Sequence, residues 1–407
     1  MTADDDLTSV AADDDLTSFR GEVREWLEAN LTGEFAAARG LGGPGREHEA
    51  FELRRAWERR LAAGRWTCLG WPAEHGGRGA SLAQQVAFYE EYARARAPQR
   101  VGHIGEGLIG PTIIEFGTPE QQRRFLEPIR RGEELWCQGY SEPGAGSDLA
   151  SVATRAELAH GEWVITGQKT WTSLAHLSDW MFLLARTEPG SDRHRGLSYL
   201  LVPMRQDGIE VRPITQMTGT SEFNEVFFDG ARTAASNIIG RPGDGWRVAM
   251  ATLSYERGAS TLGQQIGFRR ELDQVIETAR QTGAAADPVL RDRLVQAWIE
   301  LEIMRMNALR TMLSLDAGEP GPEVSISKLY WSHWHQRLGE LAMAAQGPAA
   351  LTGPAAGGSS SLDDPYPLND LQRLYLFSRA DTIYAGSSEI QRNIIAERTL
   401  GMPKEPR

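Results

Sequence analysis

Trp136-Cys137-Gln138-Gly139-Tyr140-Ser141-Glu142-Pro143-Gly144-Ala145-Gly146-Ser147-Asp148 is where the chain changes its period. Before it, apolar residues recur at spacings of three and four, as on helices; after it come short β-type runs. The stretch itself is rich in Gly and small hydroxyl residues, which let backbone N–H groups approach a partner closely. Three familiar chemistries do not fit it. No βαβ unit surrounds Gly144-Ala145-Gly146, so it is not a dinucleotide fingerprint. Gly139-Tyr140-Ser141-Glu142-Pro143 lacks the final Gly of a nucleophile elbow. The chain also has no Gly-Lys-Ser/Thr phosphate loop.

Upstream, Leu16, Phe19, Val23, Trp26 and Leu27 form one helical face, and Phe51 to Ala63, Ser81 to Ala95 and Pro119 to Arg131 read as further helices. Downstream, Trp163 to Thr166, Trp180 to Leu184, Leu197 to Val202, Ile209 to Val211 and Glu225 to Phe228 read as strands separated by Gly, Asp, Pro and Arg, as in a small sandwich or barrel. The helical period returns after Gly245, with one helix to Arg280. Asp287-Pro288 then supplies an N-cap and a Pro at the first helical position. Leu290, Leu294, Trp298, Leu301, Met304, Ala308, Met312 and Leu315 are expected to hold one face of the helix that follows. Ser325 to Gln346 gives another long helix, and Ser388 with Gln391 has capping-box spacing for a short last one. The fold class is therefore α+β and multidomain. Residues 16–135 form a helical domain, 136–244 a β-barrel or sandwich, and 245–407 a four-helix bundle. Residues 1–15, which contain an Ala-Asp-Asp-Asp-Leu-Thr-Ser motif that recurs at Ala12 to Ser18, read as a disordered leader.

The 407 residues suit two or three domains. With 43 basic and 55 acidic residues the net charge is −12, which argues against general nucleic-acid or anionic-membrane binding. No apolar run is long enough to span a bilayer, and the acidic start suits neither a secretory signal nor a transit peptide. Two cysteines, Cys68 and Cys137, give no disulfide framework. His333 and His335 are two apart on a helix and point in different directions, so a zinc site is not expected. These features describe a soluble, cytoplasmic protein. Its cations are almost all arginine; Lys169, Lys328 and Lys404 are the only lysines.

Three segments together resemble the FAD-dependent acyl-CoA dehydrogenases: the 136–148 stretch, Gly167-Gln168-Lys169-Thr170-Trp171-Thr172-Ser173, and Thr382-Ile383-Tyr384-Ala385-Gly386-Ser387-Ser388-Glu389-Ile390-Gln391-Arg392. The likeness runs from about Leu16 to the C-terminal segment and includes the helix, strand, helix order. It implies noncovalent FAD, since no Cys or His lies in an attachment motif. Cofactor contacts would come from Gln138, Tyr140, Ser141, Gly146, Ser147, Trp171, Thr172, Ser173, Ser387 and Glu389, with Ser173 near flavin N5 and Trp171 against the ring. Ser147, Tyr255, Arg257, Ala385 and Gly386 would meet the acyl thioester. Taken singly, each of these serines would more often be a turn former or a cap.

Two stretches depart from the family pattern. The Arg-x-x-Phe-Gly loop that reaches a neighbouring subunit's FAD reads Arg280-Gln281-Thr282-Gly283, and the Gln-x-x-Gly-Gly segment reads Ala344-Ala345-Gln346-Gly347-Pro348. Arg280 and Gly347 are the candidates left for that end of the cofactor; Arg280 equally suits a helix C-terminus.

The reaction the resemblance implies takes a proton from the substrate α-carbon and a hydride from the β-carbon. It needs a carboxylate base and donors to the thioester carbonyl. The family's commoner base position holds Ala385. The alternative position, on the helix after the β domain and used by relatives acting on branched, long or bulky substrates, holds Glu256. Ala249, Thr252 or Leu253, Ala259 or Ser260, and Gly263 share its helical face. A solvated Glu256 beside Arg257 is the ordinary alternative, but Ala385 leaves room that Glu256 can fill. Electron-transfer flavoprotein or a similar acceptor, and a homotetramer or heterotetramer, follow from the likeness. Rival readings are a non-catalytic subunit, a flavin oxidase or monooxygenase on the same fold, and a biosynthetic enzyme acting on an acyl-carrier-protein thioester.

Overall fold

The computed structural model describes residues 14–255, 259–316, 322–352 and 367–404. Five helices come first: α1 Asp14–Asn30, α2 Phe51–Ala63, α3 Leu82–Arg94, α4 Gly110–Phe116 and α5 Pro119–Arg130. The spacing of three and four in α1 buries Phe19, Val23 and Leu27 against Trp57, Leu61, Trp66 and Phe88. Ser81 with Gln84 and Thr118 with Gln121 make reciprocal capping boxes that start α3 and α5. Gln121 does more than cap: its amide donates to the carbonyls of Ser236 and Ile238, 2.7 Å each, and so ties the helices to the sheet.

The middle region is one eight-stranded sheet: β1 Trp136–Gly139, β2 Arg155–Ala159, β3 Glu162–Ser173, β4 Trp180–Arg186, β5 Leu197–Pro203, β6 Ile209–Ile214, β7 Phe223–Ala234 and β8 Ile238–Ile239. Its order is β6-β7-β3-β2-β4-β5-β8, with β1 parallel beside β4. The sheet curls, since the Thr233 hydroxyl on β7 donates to the Leu201 carbonyl on β5 at 2.6 Å. β4 is buried on both faces. Phe182 and Leu184 join the core shared with the N-terminal helices, while Met181, Leu183 and Ala185 join the sheet's own core. That double burial is why the sequence there is a continuous apolar run rather than an alternation.

Six helices follow among the described residues: α6 Gly245–Tyr255, α7 Ala259–Thr282, α8 Pro288–Asp316, α9 Pro322–Gln346, α10 Asp370–Ser378 and α11 Ser388–Ile394. The Asp287 carboxylate accepts from the Val289 N–H at 2.9 Å, as its capping role requires. The expected apolar face of α8 needs correcting. Leu290, Leu294, Leu301 and Met304 are buried, but Ala297 fills the intervening place and Trp298 is 42% exposed. Trp298 lies one position further round the helix, where the Arg269 guanidinium covers it at 5.6 Å. The short last helix is also capped one residue earlier than its spacing implies: Ser387, not Ser388, accepts from the Ile390 N–H. The expected single helix from Gly245 to Arg280 is described as α6 and α7, and residues 256–258 fall outside the described chain.

Candidate active site

The Gly-rich loop after β1 and the second half of β3 are locked together by one buried lysine. Lys169 is fully buried, and its ammonium donates to the Tyr140 carbonyl at 2.9 Å, the Leu184 carbonyl at 2.8 Å and Glu142 Oε1 at 2.8 Å. All three of its donors are used, which burial of an ammonium demands. Glu142 in turn accepts the N–H groups of Ala153 and Thr154, at 2.6 and 2.9 Å. Burial pushes the Lys169 ammonium down to about 8, against the opposing pull of Glu142. Burial works on Glu142 too, but Lys169 and the donated hydrogen bonds outweigh it and hold that carboxyl below its usual range. A further bond joins the two segments, from the Thr170 N–H to the Ser141 carbonyl at 2.9 Å.

Pinned at Lys169, β3 breaks register with β7 between Lys169 and Thr172. At that bulge Trp171 takes a left-handed φ of +57°, and its ring is 59% exposed, edge-on to Phe223. The Ser141, Ser147 and Ser173 hydroxyls make no hydrogen bond among the described residues, and the buried Thr172 hydroxyl has no partner there either. Around Gly144 and Gly146 a Cβ would meet open space. An exposed aromatic plate, unspent hydroxyls and an open glycine loop fit a planar group with a heteroatom edge, which is what a flavin presents. Gln138 lies on β1, in register with Phe182 of β4.

The third segment is held by α9. Gln336 Nε2 donates to the Thr382 hydroxyl at 2.9 Å, and His333 Nε2 lies 3.0 Å from the Ser388 hydroxyl. Ala385 and Gly386 take left-handed φ values of +51° and +86°. The Ala385 carbonyl accepts from Gln391 Nε2 at 3.1 Å, while its N–H has no acceptor among the described residues. Glu389 is exposed beside Arg392, and Ser387 caps α11.

Gly245 sets the direction of α6, because a Cβ there would lie 2.6 Å from the Ser198 backbone of β5. Along α6, Thr252 bonds Thr112 at 2.8 Å and Tyr199 at 3.2 Å, and the Tyr255 hydroxyl bonds Glu115. Glu256 and Arg257 lie outside the described residues. At the opposite end of the bundle, Thr282 on α7 donates to the Ala345 carbonyl of α9 at 2.7 Å. Arg280, largely exposed beside Glu277, and Gly347, at φ +61°, lie at that end. Among the described residues there is no group of His, Cys, Asp and Glu that could hold a metal ion, and no helix is long and apolar enough to cross a membrane.

Models of the acyl-CoA dehydrogenase N-terminal, middle and C-terminal domains match residues 13–133, 137–231 and 243–400. The chain belongs to the acyl-CoA dehydrogenase family. It is thus an oxidoreductase of a flavoprotein family. It is 65% identical to acyl-CoA dehydrogenase IpdE1 of Mycobacterium tuberculosis, over 95% of this chain and 98% of that protein. It is 62% identical to IpdE1 of Mycolicibacterium smegmatis over the same shares. Among solved structures, the Tcur3481-Tcur3483 steroid ACAD superposes with a TM-score of 0.81 at 28% identity, covering 96% of this chain and 98% of that one. The ChsE4-ChsE5 complex from Mycobacterium tuberculosis superposes with a TM-score of 0.77 at 28% identity, covering 97% and 99%.

Sequence reasoning missed two buried charge networks that hold the site segments of this acyl-CoA dehydrogenase. One is Lys169 with Glu142. The other sets His335 on α9 between Asp381 and Glu271, at 2.6 and 2.9 Å. For the first, the signal was a lysine in a strand of a chain whose other cations are nearly all arginine.

Proposed function

We propose that this chain catalyses FAD-dependent α,β-dehydrogenation of an acyl-CoA thioester, with Glu256 as the base. The observation that carries the reading is the Gly-rich loop locked to β3 by Lys169, with the Ser141, Ser147 and Ser173 hydroxyls unbonded among the described residues and Trp171 exposed on β3. Ser141, Ser147, Ser173 and the face of Trp171 would hold the flavin ring, and Arg280 and Gly347 would serve the cofactor's far end. When bound, the flavin supplies the hydride acceptor, N5. The chain's own part is acid–base and electrostatic. Glu256 takes the α-proton, and the Ala385 N–H polarises the thioester carbonyl, a task that needs no side chain at that position. Tyr255, already bonded to Glu115, would line the substrate side of α6.

The electrons leave to an electron-transfer flavoprotein or a similar acceptor. We infer a substrate that is branched, cyclic or bulky, from a base at residue 256 rather than at residue 385. The description of one structural neighbour as a steroid enzyme agrees with this. The protein assembles with further family chains, alike or different. Val295, Trp298, Ile299, Ile303 and Met306 leave one face of α8 apolar and between 41 and 62% exposed, which suits burial against another chain. The neighbours that are two-chain complexes favour unlike partners.

One preparation tests these points. Acid precipitation should leave a yellow supernatant, and added acyl-CoA thioesters should bleach the flavin. Glu256→Gln should keep the colour and slow bleaching by about 10²–10⁴-fold. Bleaching by the variant at the parent's rate would remove Glu256 from the mechanism and return the non-catalytic-subunit reading. A marked preference for butyryl-CoA over every bulky thioester would remove the substrate class. Sedimentation as a stable FAD-loaded monomer would remove the assembly.

A further inference from the structure

A buried charge cluster away from the Gly-rich loop surrounds His335 on α9. Its Nδ1 is 2.6 Å from Asp381 Oδ2, and its Nε2 is 2.9 Å from Glu271 Oε2 on α7. Ionised carboxylates only accept hydrogen bonds, so both ring nitrogens must carry protons and the ring is an imidazolium. The other oxygen of Asp381 accepts the Tyr384 hydroxyl at 2.7 Å. Asp381 itself is 1% exposed, so its position is fixed by these partners rather than by water. Lys328, two turns back on α9, reaches the Asp381 carbonyl and lies 5.0 Å above the Tyr384 ring.

This chain of contacts ends beside the residue whose backbone matters most. Ala385 follows Tyr384 directly, has an N–H with no acceptor among the described residues, and sits at φ +51°, a conformation a non-Gly residue keeps only where its surroundings impose it. A donor that polarises a carbonyl works through fixed geometry rather than through strength. Ile383 and Tyr384 are 69% and 38% exposed, so packing alone does not fix the segment.

We propose that Glu271, His335 and Asp381 form a positioning relay that acts through the Tyr384 hydroxyl to aim the Ala385 N–H at the thioester carbonyl of the substrate. The inference rests on the acyl-thioester reading given above, and none of the three is a catalytic residue. The titration agrees. Burial opposes the charge on His335, yet Glu271 and Asp381 outweigh it and raise the ring to about 10, so the relay stays charged throughout the neutral range. Burial and then the Asp381 carboxylate push the Tyr384 hydroxyl up, which keeps it a donor. The groups facing His335 are Glu271 and Phe268 from α7, Asp381 and Tyr384 from the C-terminal segment, and Lys328 from α9 through the Asp381 carbonyl.

The test uses (cyclohexylthio)acetyl-CoA with the FAD-loaded protein. Its α-carbon can lose a proton to the base, leaving an enolate, but the sulfur at the β-position has no hydride to give, so no electrons move. The enolate against oxidised flavin gives a long-wavelength absorbance whose pH titration reports how strongly the carbonyl is polarised. Tyr384→Phe leaves the His335 network whole, while Asp381→Asn and His335→Gln break it. All three should raise the apparent pKa of the bound probe by about one unit or more, roughly tenfold less enolate at a fixed pH. For Tyr384→Phe, FAD content and probe affinity should stay within about threefold of the parent. A parent-like titration in Tyr384→Phe overturns the relay, as does loss of FAD and stability with a parent-like titration in what remains. A parent that holds FAD but never develops the band fails the dehydrogenase reading itself, and the relay with it.

Discussion

Lys169 in the sheet and His335 in the helix bundle are both buried cations that hold a segment of the candidate site, yet their surroundings differ by one carboxylate. Lys169 meets two backbone carbonyls and Glu142. His335 meets two carboxylates, Asp381 and Glu271. In the sheet, burial outweighs the single carboxylate and the ammonium's pKa falls to about 8. In the bundle, two carboxylates outweigh burial and the ring's pKa rises to about 10. One counter-charge thus clamps a rigid strand, and two keep a softer ring permanently charged against an exposed loop.

The strongest way to break the comparison is to remove the sheet's cation. Lys169→Met leaves Glu142 buried with no opposite charge, a change that typically costs about 3–5 kcal/mol. It also frees the Tyr140 and Leu184 carbonyls. Urea unfolding should show that loss, together with a drop in bound FAD. The double change Lys169→Met with Glu142→Gln should regain part of the stability, because no unpaired charge remains. A single variant as stable and as yellow as the parent would show that the clamp is dispensable.

A smaller effect, of opposite sign at the two sites, lies in the pH dependence of stability. The ordinary pKa of His is about 6.5, and in the fold the ring binds its proton more tightly. Its contribution is therefore complete below pH 6.5 and is lost as pH rises through about 10. Lys169 does the reverse. Its folded value of about 8 lies below the ordinary lysine value, so the unfolded chain binds more protons between the two and stability gains with pH there. Between about pH 6.5 and 8 only the histidine contribution changes of the two. Over that window the parent should lose stability relative to His335→Gln; parallel curves would mean the ring is not charged in the fold.

The two sites also differ in how far the sequence reveals them. The helices and strands follow from spacing: Phe51–Ala63 is a helix with the bounds its pattern gives, and β5 contains its whole apolar run. The Gly-rich loop, the Trp171 strand and the Tyr384 segment are also readable, because local composition marks them. The ion pair and the relay are not, since Glu142 and Lys169 lie 27 residues apart, and His335 and Asp381 lie 46 apart. Nothing local distinguishes a histidine destined for two carboxylates from one that packs in a core. Trp298 fails for a related reason. A pattern of threes and fours admits either Ala297 or Trp298, and apolar size favours the wrong one when the exposed helix face is itself apolar.

The smallest expected effect lies at the far end of the loop that the relay holds, where two adjacent serines have separate tasks. Ser387 caps α11 through the Ile390 N–H at 3.4 Å, and Ser388 bonds His333 at 3.0 Å. Loss of an N-cap typically costs about 1 kcal/mol, but this bond is long and α11 has only seven residues, so Ser387→Ala should fall at the low end, near 0.5 kcal/mol. Ser388→Ala removes the tie to α9 and leaves the cap. Hydrogen exchange separates the two. The first variant should speed exchange at the start of α11 alone, and the second should speed it across 382–388 as well. If both variants speed the same amides equally, the segment moves as one body with α11, and its anchorage to α9 at this end has no independent effect on the Ala385 N–H.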